Sequence, residues 1–214
     1  MNPLRTIPYS ERGASLNMAL DWVLLHNVLE GAVPCLRFYA FRPPSVTIGK
    51  FQNGIPRSLE AYPCARRPTG GRAVLHDGDL IFSLSGKHTA GYFSGSVLET
   101  YRLTAEILAE AAQRLGVPVE VERGSPQPYD EMCFRSTSRY EITLDGRKVV
   151  GIAQAREKDA FLEQGSMYVP VDRWLYMEEI KRVLCEKGFE IVEEDFTPEE
   201  LKRAEEAQKE FEVK

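Results

Sequence analysis

The sequence is short of the features that mark several common classes of protein. No apolar run approaches the roughly 18 residues of a membrane span, and the opening MNPLRTIPYSERG lacks the charged-then-apolar order of a secretory signal. Cys35, Cys64, Cys133 and Cys185 are far apart, with no CxxC pair and no zinc spacing. With no sign of export, reduced thiols in a cytosol are expected rather than a disulfide framework. Repeats and low-complexity blocks are missing, and proline and glycine contents are ordinary, so no long stretch reads as disordered. Excess positive charge is lacking too. A net charge of -5 and a pI near 5.4 argue against non-specific nucleic-acid binding and favour a small-molecule or protein substrate.

What is present is enough for one buried core. The 214 residues are 43% hydrophobic and 28% charged. Leu16, Ala19, Leu20, Val23 and Leu24 recur at helical spacing, predicting a helix from Ser15 to about Glu30 that ends at Gly31 and Pro34. Strands are predicted over Cys35 to Phe41 and Ser45 to Gly49, separated by Pro43-Pro44. Two short strands are expected around a Gly-rich turn between Arg66 and Leu84, a helix from Val97 to about Leu115, and a short strand near Val119 to Val121. Tyr140, Ile142 and Leu144 alternate with polar residues before Asp145-Gly146, which marks a hairpin returning along Lys148 to Ala153. A strand over Phe161 to Val169 and a helix from Met177 to about Lys187 follow. Thr197-Pro198-Glu199-Glu200 is a helix start with a capping box, opening a mostly charged segment read as a solvated surface helix. Strands and helices without regular alternation predict an α/β (α+β) fold on a mixed or antiparallel sheet. The expected division is a catalytic domain over 1–190 and a charged helical tail over 191–214.

The most informative stretch is Arg66-Arg67-Pro68-Thr69-Gly70-Gly71-Arg72-Ala73-Val74-Leu75-His76-Asp77. Paired glycines let backbone approach a ligand, and consecutive N–H groups in such a turn form a concavity for an anion or a carbonyl oxygen. Arginines beside it suit carboxylate or phosphate. The residues alone leave a second reading open, a hairpin turn with solvated arginines. A P-loop is excluded because no Lys-Ser/Thr follows the glycines, and the dinucleotide fingerprint does not fit.

The run RRPTGGRAVLHDGDLIFSL resembles the signature loop of the lipoate-protein ligase and octanoyltransferase family, within the lipoate/biotin protein ligase superfamily. The resemblance extends to Asn17-Met18-Ala19-Leu20-Asp21, Pro44-Ser45-Val46-Thr47-Ile48-Gly49, Gly146 to Gln154 and Gln164-Gly165-Ser166, in the expected order. It implies the superfamily's catalytic fold, a central mixed β-sheet with flanking helices. It also implies an acyl pocket lined by Arg67, Thr69, Gly70, Gly71, Arg72, Val74, His76, Gly151 and Ala153, with Lys148 as the essential lysine. The Thr-Gly-Gly-Arg loop is similar to that of the LipM-type octanoyltransferases, whereas ligases usually read Ser-Gly-Gly-Gly. Cys133, in Met132-Cys133-Phe134, matches the position of their acyl-carrying thiol. A thiol suits the chemistry: thioester exchange is nearly neutral, and the enzyme thioester stays reactive to an amine.

The implied activity moves octanoyl from acyl carrier protein to a lysine of a lipoyl domain, such as the glycine-cleavage H protein, in lipoate biosynthesis. It needs no metal, no cofactor, no nucleic acid and no membrane, and it is expected in the cytoplasm. Alternatives are an ATP-dependent lipoate-protein ligase lacking a fused C-terminal domain, and a non-catalytic lipoyl-domain-binding protein. Two departures from the family pattern stand out. Trp22 follows Asp21 where an acidic residue is common, and Glu163-Gln164-Gly165 replaces a run that usually contains histidine.

Overall fold

The computed structural model describes residues 2–124 and 140–213. Strands β1 (Asn2–Arg12), β2 (Cys35–Phe41), β6 (Leu80–Lys87), β7 (Glu120–Val121), β8 (Ile142–Leu144), β9 (Arg147–Glu157), β10 (Ala160–Met167) and β11 (Phe189–Glu193) form one mixed sheet. Their order is β11-β1-β2-β6-β10-β9-β8-β7. β1 runs parallel to both of its neighbours, and the remaining pairs are antiparallel. A smaller sheet, ordered β4-β3-β5, is made by β3 (Ser45–Ile48), β4 (Cys64–Arg66) and β5 (Val74–His76). This is the mixed-sheet fold with flanking helices that the sequence predicts.

Period-two alternation sorts the two faces of the large sheet. In β6, Leu80, Phe82 and Leu84 join the core beneath α2 (Val97–Arg114) and α3 (Arg173–Glu186), packed with Ile107, Leu108, Tyr176 and Ile180. Ile81, between them, faces the other way and packs with Met18, Leu20 and Leu24 of α1 (Ala14–Leu29). Gly165 of β10 is fixed by this packing, since a Cβ there would stand 2.1 Å from the Phe82 ring. α2 opens on a capping box of Ser96 and Glu99, and α3 on the Asp172 side chain, which accepts from Trp174 N and Leu175 N. The predicted hairpin is present, with Asp145 and Gly146 at φ +49° and +72°.

Three features differ from the sequence reading. β4 and β5 do not form a hairpin around the glycines: both pair with β3, one on each side, so the Gly70-Gly71 turn arches across the small sheet. β1 and β11 are additional strands. β1 carries Pro3 and Pro8, which lack ladder donors and disguise a strand, and its register shifts between Ile7 and Ser10. The helix predicted from Met177 starts one turn earlier, at Arg173.

The C-terminal helix α4 (Pro198–Ala207) has both halves of its capping box, Thr197 with Glu200. It presents Lys202, Glu205 and Glu206 to solvent while Ala204, Ala207 and the following Phe211 pack with the α1 core. Glu200 is buried and accepts from Arg5 Nη1 (2.6 Å) and from Asn27 Nδ2 (2.6 Å). Residue 191, where the tail was expected to begin, lies inside β11. No helix among the described residues is long and apolar enough to cross a membrane.

Candidate active site

A predominantly apolar cavity of about 390 Å³ opens between the small sheet, β9, β10 and the first turns of α1 and α2. That size falls in the range of pockets that hold small molecules, roughly 300–1,000 Å³. Its deep side is built from Met18, Tyr39, Phe41 and Ile81, all buried. Gly70, Gly71 and Arg72 line it from the small sheet, and Leu98 and Tyr101 from α2.

Arg67, Gly70, Gly71, Arg72, Val74, His76, Gly151 and Ala153, the residues singled out by the resemblance, all line this cavity. Thr69 stands behind the wall and donates to Gln164 Oε1 (2.8 Å). The glycines are required by contact as well as by conformation. Gly71 has φ +94°, and a Cβ on Gly49 would sit 2.0 Å from the Gly71 carbonyl oxygen. Arg67 is a buried strut rather than a solvated arginine: it donates to Thr47 O (3.0 Å), Gly70 O (3.0 Å) and Arg72 O (2.9 Å), pinning both ends of the turn. Arg66 likewise donates to the carbonyls of Gly49, Lys50 and Gln52.

Two buried polar networks underlie the apolar lining. In one, Asp21 of α1 accepts from Arg37 Nη1 (2.9 Å), Tyr39 Oη (2.7 Å), Ser83 Oγ (2.7 Å) and Gln164 Nε2 (2.7 Å). These donors keep the carboxylate satisfied in a site where an unpaired charge would be very costly. In the other, Asp79 accepts from Ser166 Oγ (2.5 Å) and His76 Nδ1 (2.7 Å), while His76 Nε2 lies 2.7 Å from Thr47 Oγ1. The His76 ring also stacks on Phe41, with centroids 4.4 Å apart. His76 thus has both nitrogens engaged within the wall. His26 and His88 contact backbone carbonyls away from the cavity, at Trp22 O and Lys158 O.

The sequence reading gave no role to Asp79, Glu141, Arg37 or Tyr39, although Asp79 falls within the signature run. A signal for the Arg37 network exists all the same: Asp21 lies in an otherwise apolar helix stretch and Arg37 in an otherwise apolar strand, and buried charges need partners. Gln164, standing where the family usually has histidine nearby, joins Thr69 to Asp21 and gives β10 a polar hold on the turn.

Lys148 folds back across the hairpin and donates to Glu141 Oε1 at 2.5 Å. Its side chain is 1% exposed, and Glu141 lines the cavity. Lys148 is not itself among the described residues that line the cavity, and it meets the lining through Glu141. Cys133, the proposed acyl carrier, lies outside the described residues, as do Met132 and Phe134. The other thiols are poor candidates for a nucleophile where burial governs them. Burial pushes Cys35 up to about 12, and it raises Cys64 as well, against the partial opposition of Arg66 and Arg67.

The model of the lipoyl protein ligase A/B catalytic domain matches residues 14–204. Among curated relatives, the octanoyltransferase LipM of Carboxydothermus hydrogenoformans is 34% identical over 199 residues, covering 89% of this chain and 72% of the relative. The octanoyltransferase LipM of Bacillus subtilis is 31% identical over 230 residues, covering 94% and 82%. Among solved structures, a lipoate-protein ligase A bound with ATP superposes with TM-score 0.78 at 21% identity, covering 98% of this chain and 95% of that one. A bi-partite lipoate protein ligase from Thermoplasma acidophilum superposes with TM-score 0.74 at 20% identity, covering 98% and 92%. At these identities the structures speak to the fold alone, and the fold is the one the resemblance implied. The domain match and the curated relatives together establish that the chain belongs to the lipoyl protein ligase A/B catalytic domain family.

Proposed function

We propose that this chain is an octanoyltransferase of lipoate biosynthesis. It takes an octanoyl group from acyl carrier protein and passes it to a lysine of a lipoyl domain, such as the glycine-cleavage H protein, through a thioester on Cys133. The observation that carries the reading is an apolar cavity whose lining includes Glu141, the partner of the buried Lys148. An eight-carbon chain fits the apolar lining, and its carbonyl would lie where charge develops. The names of the relatives, octanoyltransferases, support the same reaction.

In the first half-reaction the Cys133 thiolate attacks the carrier's thioester carbonyl. A new carbon–sulfur bond forms, and the carrier sulfur leaves with its electron pair and takes up a proton. N–H groups of the glycine turn and the Lys148 ammonium stabilise the oxyanion. In the second, the acceptor lysine attacks as the free amine, the amide bond forms, and Cys133 departs as thiolate. The proton released from nitrogen passes to Lys148, a neutral amine at this point because its ammonium gave its proton to the departing carrier sulfur in the first half-reaction.

Intact-mass analysis after incubation with octanoyl-carrier protein tests this directly. One octanoyl group is expected on the wild type and on Cys64→Ser, and none on Cys133→Ser. ATP-dependent adenylate formation from free lipoate that survives Cys133→Ser would replace the transferase reading with the ligase. Lys148→Ala should lower the single-turnover rate about 10²- to 10⁴-fold, the range of a lost proton-transfer group. A thermal melt run alongside separates that loss from unfolding.

A further inference from the structure

The most exposed large apolar side chain described is Phe51, at 83%. The backbone of the loop that carries it is tightly held. Gln52 N donates to Gly49 O and Lys50 N to Thr69 O, and the Arg66 guanidinium donates to three carbonyls spanning Gly49 to Gln52. Gly49, at the base, is packed under the Gly71 carbonyl. Phe51 thus stands on a held backbone, tied to the turn whose glycines line the cavity. Exposed aromatics on a held backbone beside a site have the character of binding anchors, because the backbone has little conformational entropy left to lose on docking.

The charge around the ring is equally distinctive. Residues 42–72 hold Arg42, Lys50, Arg57, Arg66, Arg67 and Arg72 against a single acid, Glu60, in a chain whose net charge is -5. Carbonyls occupy the donors of Arg66 and Arg67, but they do not cancel the charge, which still contributes to the field over this end of the molecule. Lys50 and Arg57 are exposed, and Lys50 Nζ lies 5.9 Å from the Phe51 ring centroid. An acidic surface complements this face.

We infer that Phe51, with Lys50 and Arg57, is the docking anchor for an acyl-donor protein that presents an acidic surface. The inference rests on the transferase reading for the identity of that partner. The donor is favoured over the acceptor because its cargo, the acyl chain, has to pass the glycine turn to enter the cavity. The acceptor brings an amine, which has to reach only the reacting carbonyl.

The test measures binding apart from chemistry. Octanoyl-carrier protein and a lipoyl domain are each titrated onto the full-length wild type, Phe51→Ala and the double variant Lys50→Glu/Arg57→Glu. Acyl-enzyme formation is followed in parallel from a small octanoyl thioester that has no protein attached. Phe51→Ala is expected to weaken carrier binding about tenfold or more. The double variant should weaken it most at low salt and flatten its salt dependence. Acylation by the small thioester should be unchanged in both. Carrier affinity within twofold of wild type in either variant, no carrier binding by the wild type, or a loss confined to the lipoyl domain would each overturn the inference. Wild type that binds the carrier through Phe51 but takes up no octanoyl from either thioester would sink the transferase reading instead, leaving the docking face standing.

Discussion

Neighbouring positions on β10 carry two buried carboxyl networks that face opposite sides of the large sheet, and they are held in different ways. On the cavity side, Gln164 reaches Asp21, which accepts from four side chains including the buried Arg37 guanidinium. On the helix side, Glu163 accepts at Oε1 from Gln154 (2.7 Å), while Oε2 has no hydrogen bond of normal geometry. Both carboxyls are completely buried. Burial pushes Glu163 up to about 7, with Thr104, Gln154 and Arg156 opposing the shift only in part. Burial penalises charge equally on either side; the number of donors aimed at the carboxylate decides whether the charge is supported. The cavity side thus aims four side-chain donors at its carboxyl, and the helix side holds an acid poised to change its state near neutrality.

That contrast can be broken in three places. Asp21→Ala should have the largest effect, a loss of about 3–5 kcal/mol by chemical denaturation, because it leaves Arg37 buried without its counter-ion. Asp21→Asn should fall between it and wild type. If Asp21→Ala proved milder than Glu163→Ala, donor number would not be what separates the two sides. Gly49→Ala should follow, costing about 1–3 kcal/mol as overpacking, since its Cβ would overlap the Gly71 carbonyl. It should also weaken fatty-acid binding in a calorimetric titration, because the same carbonyl belongs to the turn that lines the cavity. Glu163→Gln should be the mildest and is best read through pH. The folded protein holds the Glu163 proton more tightly than the unfolded chain does. Its contribution to stability is therefore fully present below about 4.5 and is lost as pH rises toward about 7. Stability curves of Glu163→Gln should lack that decline, and an unchanged slope between those pH values would show that Glu163 titrates normally.

Local signals made much of the architecture readable. The caps at Ser96 and Thr197, the Asp145-Gly146 turn and the periodicity of Leu16 to Leu24 each depend on residues a few positions apart. β1 was hidden because its prolines mask an extended segment, and β11 because five residues say little without their partner strand. The lining of the site was legible through its glycine loop and the resemblance it carries. The support behind that lining was not. Asp21, Arg37, Ser83 and Gln164 come from α1, β2, β6 and β10, and nothing in their spacing announces that they meet. The bracing role of Arg66 and Arg67 was not legible either: a pair of arginines beside a glycine turn suggests solvent and anions, whereas both donate to backbone carbonyls. The geometry of a turn that arches over a middle strand creates those carbonyls, and sequence separation conceals them.

The last segment of the chain has a protective consequence. β11 pairs along β1, and Glu200 fastens the following helix to Arg5 of the same strand. A truncation ahead of Phe189 would strip β1 of its outer partner and leave a row of unpaired amides and carbonyls, the kind of border along which sheets from separate molecules join. Such a shortened protein should self-associate before it loses its cavity. Light scattering would report this at concentrations where the intact chain stays clear.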